Sequence, residues 1–180
     1  MRKPKRTKKP IDPSLIFDHA LRFAGSDGYL RSAKGGGNLF AMMIAPPSMV
    51  LGAFAIELLL KCLLVMDTGQ APETTHHLGK LFRQLPHKRK RRIEELWDAG
   101  PRKKIRPFCL AKGYPDDLPN ALNACANAFE DLRYVYEDPA KTLFYLGELP
   151  QLLIDVIVEI KPDWKPVELN PPTRPIIHTR

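Results

Sequence analysis

The sequence predicts an all-α fold, a helical bundle of up-and-down topology with four main helices and one or two short helices. Three observations lead to this prediction. Apolar residues recur at the three- and four-residue spacing of a helix face, prolines and glycines separate those segments, and no alternating strand pattern of useful length occurs. With 180 residues, the chain is long enough to form one domain with a sizeable core.

The first helix is expected to begin at Asp12-Pro13, an N-cap acceptor followed by a proline that suits the first helical position. Its apolar side follows at helical spacing, as Leu15, Ile16, Ala20, Leu21, Phe23 and Ala24. Gly25 and Gly28 weaken this helix, and we expect Gly35-Gly36-Gly37 to end regular structure, because glycine loses most backbone freedom in a helix.

The second helix is expected to start at Pro46-Pro47 and to run to Met66. It is apolar nearly all round, which places it at the centre of the bundle. Glu57 and Lys61 interrupt it. The stretch is about long enough to span a bilayer, but each charge near its centre would cost about 2.5 to 3.5 kcal/mol there. We therefore expect a buried bundle helix and no membrane contact.

The third helix is expected to be capped by Thr74 or Thr75 and to end at Pro86. Its apolar face carries Leu78, Leu81, Phe82 and Leu85. A short, strongly basic helix is predicted over residues 87–99, and residues 102–114 are expected to form a basic connection. The apolar edge of the basic helix consists of Ile93, Leu96 and Trp97.

A long helix is predicted from Pro115 to Glu137, where Asp138-Pro139 ends it. Its apolar stripe consists of Leu118, Leu122, Cys125, Ala126, Phe129, Leu132, Val135 and Tyr136. The last helix is predicted over residues 148–160, with Pro150 in its first turn.

The chain divides into a basic disordered tail over residues 1–11, a helical domain over residues 12–161 and a proline-rich extended arm over residues 162–180. The first ten residues hold six of the 28 lysines and arginines and no acid, which leaves 22 basic and 20 acidic residues in the remainder. The net charge of +8 is therefore mostly a property of the tail. Because the tail has no apolar run, we do not interpret it as a secretory signal.

The sequence predicts no metal site and no cofactor. Cys62, Cys109 and Cys125 are scattered among apolar residues, so we expect reduced thiols in the core of a cytoplasmic protein. His76 and His77 are adjacent and cannot point the same way on a helix. We expect one of them to cap or pack and the other to be exposed. The common nucleotide-binding and hydrolase motifs are absent.

A run of five cations opens the basic helix and suggests nucleic-acid binding through phosphates. The run consists of Lys88, Arg89, Lys90, Arg91 and Arg92. The alternative is a solvated helix face whose charge Glu94 and Glu95 partly balance. The sequence favours neither interpretation over the other.

The buried charges of the second helix need partners, because an unpaired buried charge costs several kcal/mol. Arg133 lies at the border of the apolar face of the predicted long helix, from which it can reach a facing helix. We expect it to form an ion pair with Glu57. Lys61, one turn after Glu57, is either a second partner or extends to water. The alternative is an ion pair that fixes helix register and has no further role.

The order and spacing of three segments resemble those of HEPN domains (higher eukaryotes and prokaryotes nucleotide-binding): AFAIELLLKCLL, HHLGKLFRQL and FEDLRYVYE. The resemblance covers about residues 13–160. It implies a HEPN-like bundle that forms a homodimer through its long helices. It also implies a role in toxin–antitoxin, phage-defence or RNA-processing systems, either as a ribonuclease or as a non-catalytic partner of a nucleotidyltransferase.

Ribonucleases of this family carry an arginine, a histidine about four to six residues further on, and a polar residue on the second helix. The resemblance implies that Arg133 and Glu57 take the arginine and polar positions and makes them the candidate catalytic residues. The histidine is absent, because Asp138, Pro139 and Ala140 stand where it would fall. These residues lack an imidazole for acid–base chemistry at neutral pH.

We therefore expect a cytoplasmic, non-catalytic binding or regulatory protein. Its candidate partners are a second copy of the chain, RNA or a nucleotide, and an antitoxin or nucleotidyltransferase. Two alternatives stay open. One is a metal-independent ribonuclease that uses Arg133 with nearby carboxylates, and the other is a structural dimer that binds nucleic acid through its basic segments.

Overall fold

A computed structural model describes residues 11–32, 37–126 and 146–164, with the backbone alone for residues 37–44. These ranges contain seven α-helices, more than the sequence predicted: α1 (Pro13–Ser32), α2 (Gly37–Thr68), α3 (Leu78–Gln84), α4 (His87–Ala99), α5 (Pro101–Lys112), α6 (Leu118–Ala124) and α7 (Leu149–Ile160). A 3₁₀ turn, Pro162–Trp164, follows α7. No strand occurs in these ranges, and the predicted all-α bundle is confirmed.

Helices α1 and α2 form an antiparallel pair. The Cys62 thiol donates to the carbonyl of Pro13 at 3.3 Å, and the ring of Phe23 stacks on Phe54 with 5.4 Å between centroids. The start of α1 thus lies beside the later part of α2. The predicted start at Pro13 is confirmed, but α1 continues past Gly25 and Gly28, because packing against α2 outweighs the low helix propensity of glycine.

Helix α2 starts before its two prolines, so the predicted start at Pro46-Pro47 is wrong. Proline removes backbone donors from a helix, which weakens this turn. A buried polar contact joins α1 to α2 just after the prolines. The Ser48 hydroxyl donates to the Asp27 carboxylate, which is 1% exposed, and the Arg31 guanidinium lies 3.3 Å from the same carboxylate. This contact anchors the turn after the prolines to α1.

The core surrounds α2, and α3 and α7 both pack against it. By length and composition alone, Ala45–Thr68 could cross a membrane, but a core helix of a soluble protein meets the same criterion. Of its most apolar window, 61% is buried inside the protein. The predicted apolar edges of α3 and α4 also face the core, where Leu81, Ile93 and Trp97 are fully buried.

Residues 102–114 were expected to form a connection, but most of them belong to α5, which ends at Gly113 in the left-handed region (φ 72°). Three hydrogen bonds connect α4, α5 and the loop after α5. Arg102 donates to Asp116 at 3.0 Å and to Asp98 at 3.1 Å, and the Trp97 indole donates to the Asp116 carbonyl at 2.9 Å. Arg102 also holds the pKa of the Asp116 carboxyl below its usual range.

The helix predicted from Pro115 to Glu137 does not continue through Cys125 and Ala126. Helix α6 ends at Ala124, and a turn follows at Cys125 and Ala126. The carbonyl of Ala126 accepts from the N–H of Leu78 at 3.4 Å, so contact with α3 favours the turn over another helical residue. The remainder of that predicted helix lies outside the described residues. The predicted last helix is confirmed as α7, with Pro150 in its first turn.

Gly79 of α3 provides a stability test, because a Cβ at this position would lie 2.1 Å from the side-chain oxygen of Asn123. That oxygen accepts from Arg83 at 2.7 Å. We predict that Gly79→Ala lowers the free energy of unfolding by about 1 kcal/mol, because displacing Asn123 loses a charge-assisted hydrogen bond of about 1.5 to 3 kcal/mol, while alanine regains up to about 1 kcal/mol of helix propensity.

Gly25→Ala is the matched control, since a Cβ at Gly25 meets nothing within 4 Å. It should stabilise the protein by up to about 1 kcal/mol. Urea denaturation followed by circular dichroism measures both variants. Equal stabilisation by the two substitutions would contradict the close contact between α3 and α6.

Candidate functional site

The Glu57 side chain lies within α2 and is 4% exposed. Lys61, one helical turn later, donates from its ammonium to Oε1 of Glu57 at 2.7 Å. Of the two alternatives left open for Lys61, the i, i+4 pair with Glu57 is the one observed. A helical pair of this kind neutralises the buried carboxylate without help from a second helix.

The second partner of Glu57 is His76, from the loop between α2 and α3. Its Nδ1 lies 3.0 Å from Oε2 and 3.1 Å from Oε1. Because an ionised carboxylate can only accept, Nδ1 carries a proton and donates. In the neutral imidazole, Nε2 then holds the lone pair. The His76 side chain is 56% exposed, so it links the buried carboxylate to the protein surface.

The neighbouring His77 caps α3. Its Nδ1 accepts from the N–H of Lys80 at 3.2 Å, whereas Thr74 and Thr75 were the expected caps. Thr75 binds the capping residue instead, because its hydroxyl accepts from the N–H of His77 at 3.2 Å. The expected division of the two histidines into one cap and one exposed side chain is confirmed, although the exposed ring is also bound to Glu57.

The pKa of His77 lies below its usual value, mainly because of partial burial and also because Lys80 and Arg83 repel a further positive charge. The lowered pKa suits the cap, since only the unprotonated Nδ1 can accept a hydrogen bond. The stabilisation from this cap is present above the usual histidine pKa of 6.5 and is lost as the pH falls through the lowered value.

The cations of α4 divide into two groups. Arg89 donates to both oxygens of Asp67 at 2.9 and 3.1 Å, and Arg92 donates to both oxygens of Glu159 at 2.5 and 3.1 Å. These bidentate pairs join α4 to the end of α2 and to α7. Arg92 also holds the pKa of the Glu159 carboxyl below its usual range. Two of the five predicted nucleic-acid contacts therefore hold the bundle together.

The other three cations of the run form no ion pair with another helix, and two of them, Lys88 and Arg91, are exposed. Arg91 pairs with Glu95 at 3.2 Å, but both side chains are more than half exposed, so the pair contributes little. Lys90 donates to the carbonyl of Arg83 at 3.3 Å, and Lys88 is exposed. Lys88, Lys90 and Arg91 can therefore reach a phosphate without loss of an interhelical ion pair.

Arg133 and its predicted ion pair with Glu57 lie outside the described residues. Within the described ranges, Glu57 is bound by Lys61 and His76. The contact between Glu57 and His76 was not predicted from the sequence. Two features of the sequence point to this contact. A buried carboxylate needs hydrogen-bond donors, and the loop that follows α2 carries two histidines.

The cysteines lie in the core as expected, where Cys62, Cys109 and Cys125 are buried. Burial raises the pKa of the Cys62 and Cys125 thiols to about 12, which leaves them as poor nucleophiles and poor metal ligands near neutral pH. Across the described ranges, no group of three histidine, cysteine or acidic side chains could hold a metal ion.

No protein-family model, no curated protein and no solved structure matches this chain. The HEPN resemblance therefore stays a prediction from the sequence, and the described geometry is the basis for the functional proposal below.

We predict that Glu57→Gln lowers the free energy of unfolding by about 2 kcal/mol, because hydrogen bonds to a charged group contribute about 1.5 to 3 kcal/mol. His76→Ala should cost about 1 kcal/mol. The double variant should cost at least about 0.5 kcal/mol less than the sum of the single variants, because the two groups interact directly. Urea denaturation at pH 7 measures the set.

Leu110 of α5 supplies the control, since it is 72% exposed and Leu110→Ala should change stability by less than about 0.5 kcal/mol. Strict additivity of Glu57→Gln and His76→Ala would show that the two side chains do not interact in solution.

Proposed function

We propose that this chain is a HEPN-like protein that binds RNA or a nucleotide through phosphate contacts. In this proposal it serves as a non-catalytic binding or regulatory component of a toxin–antitoxin or defence system in the cytoplasm. An antitoxin or a nucleotidyltransferase is the candidate protein partner. The observation that supports the proposal is that α4 carries more cations than its ion pairs with other helices occupy.

The cation excess favours phosphate as the ligand. Lys88, Lys90 and Arg91 project from one turn of α4, and Lys103 adds an exposed ammonium on α5. Lysine and arginine contacts to phosphates release counterions, so binding of this kind weakens steeply as salt rises. The basic residues of the first ten positions add to the attraction.

The surroundings of Glu57 favour binding over turnover. Its carboxylate is 4% exposed, and both oxygens lie within 3.1 Å of donors from Lys61 or His76. A carboxylate that already accepts from the protein on both oxygens would have to give up a partner to take a proton from a substrate. This arrangement supports a role for Glu57 in holding the loop before α3.

One observation favours the alternative of a metal-independent ribonuclease. An imidazole that donates from Nδ1 to a carboxylate is oriented for acid–base chemistry at Nε2. His76 has this arrangement and is 56% exposed. In this alternative, His76 supplies the imidazole that is absent from the residues after Arg133. In this alternative, Arg133 binds the phosphate and Glu57 positions His76.

The proposed assembly is a homodimer. The alternative of a structural dimer that binds nucleic acid shares this assembly. An apolar face on α1 and α2 supports it. A cavity of about 490 Å³ opens there between Leu15, Phe23, Phe54 and Leu58. Leu15 is 60% exposed, so a second copy of the chain would remove a large apolar side chain from water.

Incubation of the full chain with a labelled single-stranded RNA in EDTA tests the proposal. We predict binding that weakens by about tenfold or more between 50 and 200 mM salt, because several phosphates are neutralised, and no cleavage on the same timescale. Fluorescence anisotropy measures binding, and gel electrophoresis measures cleavage.

Absence of RNA and nucleotide binding at 50 mM salt would contradict the proposal. Cleavage that His76→Ala and Arg133→Ala abolish, and that the control variant Leu110→Ala retains, would establish the ribonuclease alternative instead. Light scattering on the same sample should give two chains per particle.

A further inference from the structure

A groove of about 300 Å³ lies between α3, α4 and the first turn of α6. Its charged lining comes from Arg83 of α3 and from His87, Lys90, Arg91 and Glu94 of α4. The four α4 residues recur at i, i+3, i+4 and i+7, which places them on one face of the helix. The volume is at the lower end of the range for small-ligand sites, about 300 to 1,000 Å³.

The charges in this groove are unbalanced. Three cations and the Glu94 carboxylate line the groove, and Glu95 outside it pairs with Arg91 at 3.2 Å, so a net positive charge is left on Arg83 and Lys90. The N-terminus of α4 adds the same sign, because its first turn holds no acid and Pro86 supplies no side-chain cap. An anion in the groove would reduce the repulsion between these cations.

Neutral groups hold two of these cations in place. Arg83 donates from Nη1 to the side-chain oxygen of Asn123 at 2.7 Å, and Gly79 is the residue that lets Asn123 lie so close to α3. Lys90 donates to the carbonyl of Arg83 at 3.3 Å. Because the amide and the carbonyl carry no net charge, these contacts orient the cations without neutralising them.

We propose that this groove binds one or two phosphate groups, with Arg83, Lys90 and Arg91 as the donors. The proposal rests on the phosphate-binding function proposed above and gives that function a location. The Phe82 ring of this groove is 2% exposed and offers no face for base stacking, so the proposal concerns phosphate contacts. Phosphates of an RNA backbone and of a free nucleotide satisfy the same donors.

Comparison of Lys90→Ala with Lys88→Ala tests the proposal on the full chain. Lys90 lines the groove, whereas Lys88 is an exposed lysine of the same helix that lies outside it, so both variants remove one charge and leave the tail unchanged. The probes are inorganic pyrophosphate, a nucleoside triphosphate and a single-stranded RNA, measured by calorimetry and anisotropy.

Lys90→Ala should weaken the binding of pyrophosphate and of at least one larger probe by about tenfold, because a charge-assisted contact is lost. Lys88→Ala should weaken it by less than about threefold. Both variants should still unfold cooperatively, since neither side chain lies in the core, and Lys90→Ala should lose only the contact with the Arg83 carbonyl.

Equal losses of affinity in the two variants would contradict binding in the groove. They would indicate diffuse binding by the basic surface, and the proposed function would stand. Binding of pyrophosphate that depends on Lys90, without any binding of RNA or nucleotide, would support the groove and contradict the proposed function. A wild-type chain that binds none of the three probes overturns both.

Discussion

The burial of the Glu57 carboxylate inside the apolar helix α2 is the constraint on which much of this structure depends. A buried charge without a partner costs several kcal/mol, which is comparable to the net stability of a domain. Lys61 supplies one donor from the same helix, and His76 supplies the other from the loop that follows α2. The carboxylate therefore fixes the path of the chain where it leaves α2.

The position of that loop sets the positions of the cations downstream. Helix α3 begins two residues after His76, and the absence of a side chain at Gly79 allows Asn123 to approach and orient Arg83. Helix α4 follows α3 directly and brings Lys90 beside Arg83. The groove proposed to bind phosphate is therefore formed by helices that follow the contact between Glu57 and His76 along the chain.

Local chemistry explains which parts of this fold the sequence could predict. The helix start at Pro13 and the basic helix over residues 87–99 were predicted correctly, because the signals that start and end a helix are local. Helix α5 was missed because Pro107 and the surrounding cations obscure its periodicity. The pairing of Glu57 with His76 depends on how α2 and the following loop approach each other in space, which periodicity does not encode.

The protonation of the His76 ring is the most direct test of this account. A long-range ¹H–¹⁵N spectrum of the labelled full chain, recorded where the ring is neutral, distinguishes the two tautomers. We predict the Nδ1–H form, because the Glu57 carboxylate accepts from Nδ1, and a change toward the Nε2–H form in Glu57→Gln, where that acceptor is weaker. An Nε2–H ring in the wild type, unchanged in Glu57→Gln, would contradict the claim that the buried carboxylate holds His76.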